Sequence, residues 1–204
     1  MFNAVKTTGI YCRPECSARP KPENVTSYPT RRAAERAGYR ACKRCRPDLG
    51  ERLRYGVGRS ALGRTTVIAG EHGIRAVLLE GEEAAEAFPG DFLVRDRSLD
   101  PVARSITDEP SLDIDMRGTA FQLQVWRKLL EIPRGETRTY TDVASELGRP
   151  RAVRAVAHAC ASNRIGVLVP CHRVVRTDGS LAGYRWGLER KRALLAAEGA
   201  AVTR

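Results

Sequence analysis

The chain has 204 residues, 35 of them Lys or Arg against 24 Asp or Glu, for a formal net charge of +11. That length holds one large domain or two small ones. No run of about 18 apolar residues marks a membrane span, and Met1-Phe2-Asn3-Ala4-Val5-Lys6 lacks the apolar centre of a signal peptide. A cytosolic protein without membrane contact is expected, with its six cysteines reduced or metal-bound. The charge is segregated: residues 1–50 carry +7, 51–115 carry −5 and 116–204 carry +9. Two basic segments around an acidic one point to a polyanionic partner.

Near the N-terminus, Cys12-x3-Cys16 and Cys42-x2-Cys45 stand 25 residues apart. Paired cysteines in a reducing compartment predict a four-thiolate zinc site. Pro14, Pro20, Pro22, Pro29 and Pro47 surround them with few apolar residues. About 50 residues of this kind can hardly build a core, so metal is expected to supply much of the folding energy.

Residues 51–115 read as a small α/β lobe. Strands are predicted over 65–69 and 74–79, joined by Gly70-Glu71-His72-Gly73, with His72 solvated in the turn. Short helices are predicted over 82–88 and 101–106. The segment 119–131 is a stronger helix, because Phe121, Val125 and Leu129 recur every fourth residue beside Trp126 and Leu130. A short helix over 141–147 stops at Gly148, and Pro150 opens another. In that second helix Val153, Val156, Ala157 and Cys160 form the buried face, opposite Arg151, Arg154 and His158. Two short helices, a tight turn and a basic outer face read as helix-turn-helix.

An apolar strand over 165–169 is then expected to lead into Pro170-Cys171-His172-Arg173. Thiolate is the nucleophile, so a reactive cysteine needs a base or a positive field, which His172 and Arg173 can supply. An inert, buried Cys171 is the alternative these six residues leave open.

The larger pattern decides between the two. Gly118-Thr119-Ala120-Phe121-Gln122 with Val125-Trp126, Ile132-Pro133-Arg134-Gly135-Glu136-Thr137, Tyr140, the run from Gly148 to Val156, Asn163, the run from Pro170 to Val175, and Gly183-Tyr184-Arg185-Trp186-Gly187 stand in order. Together they resemble the active domain of the O6-alkylguanine-DNA alkyltransferase family. The first 48 residues, with Thr7-Thr8-Gly9-Ile10-Tyr11-Cys12-Arg13-Pro14 and Cys16, resemble the N-terminal zinc domain of bacterial Ada-type methylation-repair proteins.

The resemblance implies a fold of class α/β plus α. It comprises a small four-cysteine zinc-binding domain at 1–50, a ribonuclease-H-like α/β lobe at 51–115, and a winged-helix-like helical domain at 116–204. It implies one zinc held by Cys12, Cys16, Cys42 and Cys45, and a monomer acting on double-stranded DNA with alkylated bases. Cys171 would accept the alkyl group from O6-alkylguanine, and from O4-methylthymine, once per molecule. His172 would take the thiol proton through a water, Glu198 would orient His172, and Asn163 would hold the turn. Arg154 would fill the gap left by the flipped base and Tyr140 would assist flipping and protonate the departing guanine. Arg151 and Ala152 would meet DNA beside them; Val174, Tyr184 and Arg185 would line the guanine pocket. In the zinc module Cys12 would take a methyl group from a methylphosphotriester.

Two departures from the family pattern bear on these expectations. Against the family pattern a shortened zinc module ahead of Cys12 is expected, and the AraC-type helix-turn-helix region that follows it in Ada proteins is missing, since only residues 46–54 separate Cys45 from Tyr55. A transcriptional switch therefore lacks its reader. A lesion-flagging relative that binds without accepting the alkyl group would replace the nucleophile, whereas Cys171 is intact.

Overall fold

A computed structural model describes residues 1–14, 16–45, 47, 51–88, 91–108 and 111–200; the boundary expected at residue 50 lies outside them. The chain forms two compact units, Met1–Arg52 with Phe88–Phe92, and Leu53–Ala87 with Leu93–Arg204.

In the first unit β1 (Phe2–Val5) and β2 (Ile10–Cys12) form an antiparallel hairpin. β3 (Val25–Tyr28) pairs with the other edge of β1, α1 (Arg31–Arg36) follows, and β4 (Arg40–Ala41) runs parallel to β2. The strand order is β3-β1-β2-β4. Thr30 caps α1 by accepting the Ala33 amide at 3.1 Å, a contact of about 1 kcal/mol. The apolar centre is only Ala4, Tyr11 and Ala34, with half-buried Phe2, Tyr28, Tyr39 and Ala41 around it. Tyr11 is fully buried and donates its hydroxyl to Glu35 at 2.7 Å. So small a core cannot offset the ordering entropy of fifty residues, so the cysteine cluster must carry the unit.

The second unit opens with an antiparallel sheet of order β7-β6-β5-β8, built from β5 (Arg52–Ser60), β6 (Gly63–Gly70), β7 (Gly73–Leu79) and, after the one-turn α2 (Ala84–Ala87), β8 (Phe92–Arg95). The hairpin of β6 and β7 was legible in the sequence, with His72 exposed in its turn. β5 was not, because Gly56 and Gly58 dilute its alternation. Both are glycine because α3 (Asp100–Arg104) crosses them closely: a Cβ at position 56 would collide with that of Leu99, and one at 58 would lie 2.8 Å from Arg104. The helix expected over 82–88 shrinks to four residues, leaving Glu82 free to use its side chain elsewhere.

α4 (Ala120–Leu130) starts at a capping box of Thr119 and Gln122 and buries Val125, Trp126 and Leu129. β9 (Arg138–Thr139) leads into α5 (Tyr140–Glu146), which is capped by Thr139 and Asp142. Gly148 leaves that helix at φ +69°, and a 3-10 turn at Pro150–Ala152 runs into α6 (Val153–Ala161). The buried face of α6 is Val156, Ala159 and Cys160. Ala159 thus replaces Val153 and Ala157, which are half-exposed and face a pocket instead. The Ala159 carbonyl accepts the Trp126 indole N–H at 2.8 Å, locking α4 to α6.

Residues 165–169 are not the expected strand. The Asn163 side chain accepts the Ile165 amide at 2.9 Å and donates to the Val169 carbonyl at 2.8 Å, which curls the segment into turns. Val167 sits at φ +73° while buried, a conformation costing a β-branched residue about 1–3 kcal/mol. β10 (Val174–Val175) follows and pairs parallel with β9. α7 (Leu188–Ala197) closes the unit, burying Lys191, Leu194 and Leu195. One core runs from Val67 and Val77 of the sheet through Val125, Val143 and Val156 to Leu194.

Candidate active site

The pairing of β10 with β9 assembles the site. Val174 stands opposite Arg138 and Val175 opposite Thr139, so the 3-10 turn Cys171–Arg173 just before β10 is brought beside Tyr140, just after β9. Cys171 is 4% exposed. Its Sγ accepts the Asn163 side-chain N–H at 3.2 Å. The same Asn163 that curls the preceding segment therefore also fixes the sulfur. Burial pushes the Cys171 thiol up, opposed by that hydrogen bond and by the charge of Lys191.

His172 is fully buried. Its Nε2 lies 2.8 Å from Glu198 Oε1. Arg173 donates to both Glu198 oxygens, at 2.9 and 3.0 Å, and to the Ile132 carbonyl at 2.7 Å. Burial disfavours the Glu198 carboxylate, but the hydrogen bonds from His172 and Arg173 outweigh it and hold its pKa at about 2. A carboxylate at the C-terminus of α7 meets the unfavourable end of the helix dipole, which the Arg173 fork offsets. An ionised Glu198 can only accept, so His172 Nε2 carries the proton of that bond and Nδ1 is the ring nitrogen that Glu198 does not hold. Nδ1 is buried and has no hydrogen-bond partner among the described residues. The sequence expectation that Arg173 supplies a field to Cys171 is corrected here: its guanidinium is engaged with Glu198.

The cation near Cys171 is one the sequence reading missed. Lys191 is fully buried, donates Nζ to the Val174 carbonyl at 2.6 Å, and has its pKa lowered by burial against the pull of Cys171 and Cys160. Its signal was a lysine at the position of α7 in line with Leu194 and Leu195 on the apolar face. Cys160 is buried in the core, as expected.

A pocket of about 540 Å³ opens between α6 and the segment before α7. Tyr140, Arg154, Tyr184 and Arg185 line it together with Val153, Ala157 and Arg176. Arg176, three residues after Arg173, was also missed. Burial raises the Tyr140 phenol, and a Cys171 thiolate raises it further. Tyr184 is raised in the same way, and its hydroxyl is buried with no partner among the described residues. Both phenols therefore stay protonated at neutral pH. Arg151 and Ala152 line a separate surface depression with Arg149 and Pro150, and Arg149 lies over the Phe121 ring at 5.4 Å. The Val174 side chain is fully buried in the core.

In the first unit the sulfurs of Cys12, Cys16, Cys42 and Cys45 all lie within 4.8 Å of one another. Tetrahedral zinc with Zn–S bonds of about 2.3 Å places its sulfurs about 3.8 Å apart, so the donor set fits one zinc. Arg13 donates its amide to Cys45 Sγ at 3.4 Å. Burial disfavours the Cys42 thiolate, but the amides of Cys45 and Arg44 outweigh it and bring its pKa to about 7. Cys12 and Cys42 border a pocket of about 300 Å³ with Val5, Thr8, Ile10 and Arg19.

Comparison with known proteins agrees with both units. The family described as 6-O-methylguanine DNA methyltransferase, DNA binding domain, matches residues 120–200, and the metal binding domain of Ada matches 1–48. The bifunctional transcriptional activator/DNA repair enzyme Ada of Escherichia coli K12 is 31% identical over an alignment of 319 positions, covering 96% of this chain and 90% of that protein. That alignment is much longer than the chain, so the relative carries a long stretch absent here. The inducible methylated-DNA–protein-cysteine methyltransferase of Bacillus subtilis is 44% identical over 122 residues, 56% of this chain and 68% of that protein. Among solved structures, the Mycobacterium tuberculosis OGT in complex with DNA superposes with a TM-score of 0.61 at 34% identity, covering 72% of this chain and 92% of that one. The chain therefore belongs to the O6-alkylguanine-DNA alkyltransferase family, with an Ada zinc-binding domain at its N-terminus.

Proposed function

We propose that this protein repairs double-stranded DNA by transferring the alkyl group of O6-alkylguanine, and of O4-methylthymine, directly to Cys171. The observation that carries the reading is the buried Nδ1 of His172, which has no hydrogen-bond partner among the described residues, next in sequence to a thiol that burial holds protonated. An O6-alkyl group is hidden in the duplex, so the base must be flipped out. Arg154, exposed at the pocket mouth, takes the space it leaves, and Arg151 and Ala152 meet the backbone beside it. Tyr184 and Arg185 hold the guanine; Val174, expected beside them, is instead fully buried in the core and does not line the pocket.

The chemistry is one displacement. His172 Nδ1 takes the Cys171 proton through a bridging water, and Glu198 steadies the imidazolium. Cys171 Sγ forms a bond to the alkyl carbon as the O6–carbon bond breaks. Tyr140, kept protonated, gives the proton that the departing guanine needs. The thioether has no route back to a thiol, so each molecule acts once. Replacing Cys171 with Ala is the direct test: transfer from O6-methylguanine must vanish, and survival of transfer would refute the assignment.

In the zinc module Cys12 is the candidate acceptor for a methyl group from a methylphosphotriester. Bound zinc keeps all four sulfurs as thiolates and crosslinks the unit. Cys42 and Cys45 share their sulfur lone pairs with backbone amides, which damps them as nucleophiles, and Cys12 borders the pocket that holds Arg19. Methylating one thiolate of a zinc–tetrathiolate site moves its formal charge from −2 to −1 and lowers its repulsion of phosphate. The finer architecture follows the family: a ribonuclease-H-like lobe at 51–115 and a winged-helix-like domain at 116–204, acting as a monomer in the cytosol. A lesion-flagging role without transfer is the weaker reading, because the cysteine and its hydrogen-bonding shell are intact.

A further inference from the structure

The wall of the pocket formed by residues 183–186 belongs to no helix or strand. Within it the backbone closes one turn, Gly187 N–H to the Tyr184 carbonyl at 3.0 Å. Arg190 of α7 donates to the Trp186 carbonyl at 3.3 Å, and one carboxylate grips two adjacent side chains of the segment. Glu82 stands just beyond β7, locked there in both directions: its amide donates to the Leu79 carbonyl at 3.0 Å, and its Oε2 accepts the Leu79 amide at 3.2 Å. Its Oε1 accepts both Nε and Nη2 of Arg185, at 3.0 and 2.8 Å. Its Oε2 also accepts the indole N–H of Trp186. The sheet thus grips the loop through an ion pair and a hydrogen bond on adjacent residues, only about a third exposed or less.

Trp186 carries the grip further. It is 7% exposed, and its ring packs on Gly166, where an added Cβ would collide with it. It also meets the Tyr184 ring edge-on at 5.3 Å. Gly166 lies in the Asn163-held turn that precedes Cys171. One carboxylate therefore fixes both the outer wall, Tyr184 and Arg185, and the spacing of that wall from the turn bearing the nucleophile.

We propose that Glu82 is a positioning residue, a latch that holds residues 183–186 at the distance suited to a small alkyl group, and that it thereby sets the size preference of the site. This rests on the transferase reading above. A rigid wall orients a methyl carbon for in-line attack, whereas a loosened one accommodates a larger group at the cost of orienting a small one.

The test is Glu82→Ala in the full chain, measured against duplex DNA carrying O6-methylguanine or O6-benzylguanine in single-turnover transfer, with hydrogen–deuterium exchange of the 183–187 amides alongside. The ratio of methyl to benzyl rate constants should fall at least tenfold, and exchange of the loop should accelerate at least tenfold. Arg185→Ala removes the charged half of the latch together with a pocket side chain, so its overall rate is not read; its methyl-to-benzyl ratio and its loop exchange should shift in the same direction by less. Glu82→Gln keeps the size and one acceptor, and should recover part of the ratio. An unchanged ratio in Glu82→Ala, with or without faster exchange, overturns the proposal. If Glu82→Ala fails to fold, an unchanged ratio in Arg185→Ala overturns it. If the wild-type protein transfers neither group, the transferase reading fails and the size-preference proposal falls with it, an outcome distinct from transfer with an unchanged ratio, which overturns the proposal alone.

Discussion

The two cysteines at the centre of the molecule's two units are prepared in opposite ways. Cys12 belongs to four sulfurs gathered within 4.8 Å, where a bound zinc would both build the unit and keep the sulfur anionic. Cys171 stands among packed apolar side chains that build the unit without help, and burial raises its thiol. One sulfur would be held as a thiolate by bound metal. The other is a resting thiol whose proton must be taken at the moment of reaction. The comparison teaches that stability and reactivity are coupled in the first unit and separable in the second.

Removing the metal is the most drastic way to sharpen that contrast. With a core of Ala4, Tyr11 and Ala34, the first unit should unfold completely on chelation, while the second keeps its fold and its transfer from O6-methylguanine. Zinc content and far-ultraviolet circular dichroism, with the transfer rate measured in parallel, check this. Loss of Cys171 transfer on chelation alone would break the separation.

Next in size is the proton. His172→Ala should slow transfer by about 10²–10³-fold. In that variant the rate should climb about tenfold per pH unit below the raised thiol pKa, because only thiolate reacts. A rate profile in His172→Ala as flat as that of the wild type would contradict the role of Nδ1. Arg154→Ala should cost about 10- to 100-fold on duplex DNA, reflecting a few kcal/mol of unstacking left uncompensated, and little on single-stranded substrate. Equal losses on both would remove the flipping role.

The smallest effect concerns Glu198. Its folded pKa of about 2 lies below the ordinary 4.5, so its contribution to stability is complete above pH 4.5 and is lost as pH falls toward 2. The difference in melting temperature between wild type and Glu198→Gln should be constant near neutrality and close over that window. A difference that does not change between pH 5 and 2.5 would mean that Glu198 is not held ionised.

Much of the site was legible because short motifs carry it. The Cys-x3-Cys and Cys-x2-Cys pairs, Tyr140, Asn163 and the Cys171-His172 neighbours all stand where spacing and resemblance led one to expect reactive or ligand groups, and the hairpin of β6 and β7 and the helix α4 followed from periodicity. What escaped depends on distant partners. β5 was obscured because Gly56 and Gly58 make room for a helix more than forty residues away. The run 165–169 has strand composition, and only the Asn163 side chain and the positive φ of Val167 turn it. Arg173 reads as a helper of Cys171 until Glu198, 25 residues on, takes the Nε–Nη2 edge of its guanidinium and the Ile132 carbonyl takes Nη1. Lys191 was passed over because the Val174 carbonyl that claims it stands 17 residues away.

The central claim is that alkyl transfer ends on Cys171. Duplex DNA with a methyl-labelled O6-methylguanine, reacted in excess with the protein and followed by peptide mass spectrometry, tests it most directly. The account predicts label on the peptide containing Cys171, saturating near one methyl per chain with no further turnover. Folded, reduced protein that binds the lesion DNA but carries no label on that peptide would contradict it.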